Sequence, residues 1–145
     1  MSITDAQNRP SNAQAIAATD TTVLSTNSID LLTANRDIGR GGPMRMVAVI
    51  TTAMAGGTSI KAELIQSADG ALGTPDVLAT GPVVTTANGI AGKTILDVLI
   101  PDTSKQYLGL RYTLVGAVSA GKVTTTVVAT SPRPASDLAM NQGLG

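Results

Sequence analysis

The chain contains no cysteine, histidine, tryptophan or phenylalanine, and its aromatic residues are two tyrosines, Tyr107 and Tyr112. Each absence removes a class of chemistry. Without thiol or imidazole there is no structural zinc site of the usual kind, no thiolate nucleophile and no histidine-based triad, because these need soft or near-neutral titrating ligands. Disulfides are impossible, so cysteine usage says nothing about compartment. A surplus of positive charge is missing too: ten basic residues balance ten acidic ones. Non-specific binding to nucleic acid draws on such a surplus to displace counterions, so no direct nucleic-acid partner is expected. Two tyrosines are also a thin platform for stacking bases. Residues 1–20 carry Asp5, Arg9 and Asp20 and no apolar core of a secretory signal. The uncharged stretch 46–60 is shorter than the ~20 residues that cross a bilayer as a helix. The expectation is a soluble protein with no membrane partner.

What is present is a chain of 145 residues, enough for one domain with arms. Isoleucine, leucine and valine together number 35, and alanine and threonine contribute 20 each. The interior must therefore be built from small and branched side chains, with almost none of the area that aromatic residues bring. A core stocked this thinly is expected to gain by burying surface against copies of itself or a partner.

The periodicity is that of strands. Residues 44–52 (MRMVAVITT) form a β-compatible run, and 59–66 (SIKAELIQ) alternates Ile60, Ala62 and Leu64 against Lys61 and Glu63, with a loop around Ala55, Gly56 and Gly57 between them. Further strands are predicted at 21–25, 28–32, 93–100 (KTILDVLI), 106–115 (QYLGLRYTLV) and 122–130 (KVTTTVVAT). In the last, Val123, Val127 and Ala129 share a face with Thr125, while Thr124, Thr126 and Thr130 lie opposite. The stretch 71–92 is rich in glycine and proline, and one or two short strands are predicted within a long excursion. Residues 12–19 (NAQAIAAT) have alanine-rich helix propensity, in a segment too short to stand alone. Seven or eight short strands spaced by turn signals predict an all-β fold, an antiparallel β-sandwich or jelly roll over residues 21–131. An extended N-terminal arm is predicted over 1–20 and a C-terminal tail over 132–145.

No constellation of catalytic, cofactor-binding or metal-ligating residues stands out, so no enzyme and no cofactor are expected. Gly39, Arg40, Gly41, Gly42 and Pro43 look superficially like a phosphate-cradling loop but lead into a strand and lack the Lys-Ser/Thr ending. Ser104 and Lys105 are adjacent on an extended segment and point to opposite faces, which opposes a Ser-Lys pair. Glu63 is the sole glutamate, and the aspartates fall largely in turns. The densest charge cluster is Arg36, Asp37 and Arg40, read either as a solvated loop or as an interaction loop in which Arg40 reaches a partner carboxylate. Tyr107 and Tyr112, five apart in one strand, point to opposite faces, one to the core and one to a rim.

Several segments, in order along the chain, resemble the capsid cement (decoration) proteins of tailed bacteriophages of the Bordetella-phage type: MSITDAQ (1–7), STNSIDL (25–31), RDIGRG (36–41), TTAMAGGTS (51–59), QSAD (66–69) and KQYLGLRYT (105–113). The similarity runs to about Val128 and leaves out the Gly70–Gly92 excursion and the tail from Pro132. The resemblance implies a jelly-roll protein on the outer surface of the virion's capsid, acting as a homo-oligomer, dimer or trimer. It clamps adjacent subunits of a major capsid protein of the HK97-like fold. Contacts to capsid or neighbouring subunit are then expected from Ile3, Asp5, Gln7 and Arg9 in the arm, from Arg36, Asp37 and Arg40 in the loop, and from Arg133 and Leu138 in the tail. The alternative is a ligand- or carbohydrate-binding β-sandwich module on the virion, with an aspartate-dependent hydrolase a distant third.

Overall fold

Alternation of apolar and polar residues sets the strands, and turn residues set where they stop. The structure, a computed structural model, describes residues 2–3, 9–32 and 44–129. Along the chain run β1 (Ser2–Ile3), β2 (Gln14–Ala15), β3 (Ala18–Thr19), β4 (Thr22–Leu24), β5 (Ile29–Asp30), β6 (Met44–Gly56), β7 (Ser59–Ser67), β8 (Asp76–Thr85), β9 (Thr94–Leu99), β10 (Tyr107–Val115) and β11 (Ala117–Ala129). One short 3-10 turn, Thr86–Asn88, follows β8.

The strands form two antiparallel sheets. In the first, β6 lies between β11 and β9, and β1, β2 and β3 succeed one another along the far edge of β11. In the second, β7 lies between β10 and β8, and β4 and β5 share the far edge of β10. The connections from β3 to β4, β6 to β7, β8 to β9 and β10 to β11 each step from one sheet to the other. Orders β3-β11-β6-β9 and β4-β10-β7-β8, with β2 and β5 as offset pieces of the edges, are those of a jelly roll. The expected all-β sandwich is therefore the observed fold.

Alternation places the core. Ile60, Ala62 and Leu64 of β7 face Leu108, Leu110, Tyr112 and Leu114 of β10 within one cluster, which Met46, Ala48 and Ile50 of β6 and Val123 and Val127 of β11 complete from the other sheet. Thr125, between those two valines, is also fully buried. Its hydroxyl lies 2.9 Å from that of Tyr112, which in turn lies 2.8 Å from Ser11 Oγ. Ser11 Oγ donates on to Gln14 Oε1 at 2.7 Å, and Gln14 Nε2 donates to the Leu24 carbonyl at 2.7 Å. A polar chain thus crosses the apolar interior, joining both sheets to the N-terminal segment. Burial pushes the Tyr112 phenol above its ordinary value, so it stays protonated and shared. Tyr112→Phe would leave the Ser11 and Thr125 hydroxyls short of a partner in a buried site. The expected loss is about 1–3 kcal/mol of unfolding free energy, measured by urea denaturation.

Three segments differ from the sequence expectation. Residues 9–20, expected within an extended arm, belong to the sandwich: Ile16 is fully buried, its N–H donates to the Gly121 carbonyl at 3.1 Å, and Thr125 N–H donates to the Ser11 carbonyl at 2.8 Å. Residues 12–19 form β2 and β3 rather than helix, because the edge of β11 offers them backbone partners that a short isolated helix lacks. The glycine- and proline-rich stretch holds one ten-residue strand, β8. Pro82 is tolerated there because β8 is an edge strand and the ladder to β7 shifts register between Lys61 and Glu63. Gly81 fits the same spot for lack of a side chain: a Cβ would sit 2.5 Å from the Ile95 carbonyl oxygen.

Candidate functional site

Of the expected interaction residues, Ile3 and Arg9 fall among the described residues. Ile3 lies in β1, opposite Val127 of β11. Asp5, Gln7, Arg36, Asp37, Arg40, Arg133 and Leu138 fall outside the described residues, as does the tail 132–145. Arg9 is half-buried beside the sandwich: Nη1 donates to Asn12 Oδ1 at 3.2 Å, while its buried Nε meets no acceptor among the described residues. Ser104 and Lys105 lie in the bend between β9 and β10. Ser104 Oγ accepts from Gln66 Nε2 at 3.0 Å, and Lys105 pairs with Asp76 at 2.7 Å. Tyr107 is half-buried and Tyr112 fully buried, as their spacing requires.

The structure assembles a charged cluster that the sequence shows only in part. Lys61 and Glu63, two apart on β7, share its outer face, and the antiparallel register brings Arg111 of β10 opposite Glu63. Arg111 Nε and Nη2 reach Glu63 Oε2 at 2.8 and 2.6 Å, and Lys61 Nζ reaches Oε1 at 3.0 Å. The Glu63 side chain is 7% exposed. Burial alone would raise its pKa, but the bonds and charges of Lys61 and Arg111 outweigh that penalty and hold the carboxyl below its usual value. The ion pair therefore stabilises the fold fully above the unfolded carboxyl value of ~4.3. As pH falls through the lower folded value, that contribution is lost. Urea midpoints from pH 7 to pH 3 should show an acid-side fall, and Glu63→Gln should lower the pH 7 midpoint and flatten that fall.

Beside this cluster the outer face of the same sheet is covered by the loop after β7. Leu72, in a left-handed conformation (φ 59°), is buried against Gly109, where a Cβ would lie 2.4 Å from Leu72 Cδ1. Ile65 is buried on this outer face and stands apart from the interior cluster. The other end of the face stays open, with Val83 and Val115 exposed.

Among the described residues no three acidic side chains come together as a metal site would require. The profile of the Bbp16 family matches residues 10–127. The chain belongs to the Bbp16 family. That name is a Bordetella phage protein's, which places the chain among phage proteins of the Bordetella type. The Bbp16 match spans the described sandwich almost end to end, including the strands β2 and β3 on the edge of β11. No curated protein matches the chain.

Proposed function

We propose that this Bbp16-family chain is a capsid cement protein. It binds the outer surface of a phage head and clamps adjacent subunits of a major capsid protein of the HK97-like fold, acting as a homo-oligomer. The observation that carries the reading is the family match over residues 10–127, nearly the whole jelly roll. The fold supports it. Two sheets packed on a mostly aliphatic core make a stiff plate, and stiffness is what a clamp across a subunit boundary needs. Many modest contacts repeated over a symmetric lattice sum to high avidity, since the second contact of each bound molecule forms at high effective concentration. The reading assigns no catalytic step and no cofactor.

The test is co-sedimentation of the purified chain with heads of its phage that lack it. The expected result is saturable, stoichiometric binding and heads that withstand a higher temperature with the protein than without. Heads that sediment bare at saturating protein would overturn the proposal.

A further inference from the structure

We propose that the outer face of the β4-β10-β7-β8 sheet is the docking surface, and that it takes a protein partner presenting a carboxylate within a small apolar patch. This rests on the cement reading, in which the partner is the shell. The first observation is charge. Lys61 and Arg111 carry two positive charges, and the buried Glu63 between them carries one negative. The cluster is left with a surplus of one positive charge. Ladder neighbours add none: Lys61 is flanked by Thr113 and Val83, and the next row is Val115, Ser59 and Thr85.

The second observation is preorganisation. Three contacts to one buried carboxylate fix both cations in place, while their side chains remain 31% and 26% exposed. An incoming carboxylate meets donors whose freedom is already lost, so ordering them costs little on binding. Lys122, on the outer face of the other sheet, is exposed and has no ion pair among the described residues, so it lacks this advantage. The third observation is the apolar rim. Val83, directly opposite Lys61, is 65% exposed, and Val115 is 47% exposed. Charge flanked by accessible valine is complementary to an acidic side chain set among aliphatic ones, and burying the valines shields the ion pair from water.

The test is Val83→Glu. The new carboxylate would stand opposite Lys61 and satisfy the surplus charge within the molecule, at an exposed position where the fold tolerates it. Val115→Glu is a second variant at the other end of the rim, and Lys122→Glu is a control on the opposite sheet. Each is checked by its melting midpoint and then titrated onto heads lacking the protein. The expected result is binding about tenfold weaker or more for both valine variants, and near wild type for Lys122→Glu. Folded valine variants that bind as the wild type does would overturn the face assignment and leave the cement reading standing. A wild-type chain that fails to bind would overturn both.

Discussion

Removing residues 1–18 is expected to unfold the sandwich rather than trim an arm from it. The deletion takes out Ile16, fully buried in the shared cluster, and Ser11, whose hydroxyl meets Tyr112 in the interior. Loss of a buried aliphatic side chain alone costs about 2–5 kcal/mol. The buried Tyr112 hydroxyl would lose Ser11 and keep only Thr125, which adds about 1–3 kcal/mol. The edge of β11 would also lose the backbone bonds that Ser11 and Ile16 make with Thr125 and Gly121. Together these approach the ~5–15 kcal/mol that holds a typical domain folded. An unpaired edge of that length also invites aggregation. Removing residues 1–8 spares Ser11 and Ile16, so that variant should remain soluble and unfold cooperatively. Circular dichroism during thermal unfolding separates the two. A 1–18 deletion that melts like the full chain would show that the N-terminal segment contributes nothing to the fold.

Gly116→Ala is expected to cost about 2–5 kcal/mol from a single methyl group. Gly116 joins β10 to β11 where the chain steps between sheets, and the β6 to β7 connection makes the same step beside it through Gly56 and Gly57. The two corners lie in contact. A Cβ on Gly116 would sit 2.9 Å from Gly57 Cα and 3.0 Å from Thr58 N, and φ at Gly116 is +78°. Thr58 N–H donates to the Val115 carbonyl at 2.7 Å, so the corners cannot part without breaking that bond. A left-handed conformation costs a residue with a side chain roughly 1–2 kcal/mol, and forced overpacking adds about 1–3 kcal/mol. The combined loss should lower the melting midpoint by about 10 °C. Gly92→Ala is the matched control: φ is +90°, but nothing lies within 4 Å of the new Cβ. It should show the conformational penalty alone, about 1–2 kcal/mol. Equal midpoints for the two variants would mean the corners are not in register contact.

How much of this was legible depends on whether the signal is local. Alternation over one buried face marks β7 and β10, whose predicted limits, 59–66 and 106–115, lie within a residue of those observed; β11, predicted over 122–130, begins five residues earlier at Ala117, where register shifts between Val118 and Val123 break the alternation. Alternation puts Thr125 on the apolar face of β11, though nothing local shows that Tyr112 lies there to bond it and Ser11 to bond Tyr112. The edge strand β8 was obscured because Gly81 and Pro82 read as breakers, yet at an edge with a register shift they cost the ladder little. The pieces β2 and β3 were obscured for a different reason. Their alanine-rich sequence has a weak preference of its own, and the deciding partner, β11, lies about a hundred residues away along the chain. Of the ion cluster, Lys61 and Glu63 were visible on one face of β7. Arg111 joins them only through the pairing of β10 with β7, which no spacing reveals. The candidate contacts in the arm, the loop and the tail rest on the family resemblance and on the position of those segments outside the predicted strands. Seven of those residues lie outside the described residues, and the charged sheet face is built by register.

The most direct test of the cement reading is a reconstruction of the intact phage particle at a resolution that separates the two sheets. The account predicts jelly-roll density on the outer surface of the head, seated across boundaries between capsid subunits. A head with no such density, or the chain found elsewhere in the particle or absent from it, would contradict the account.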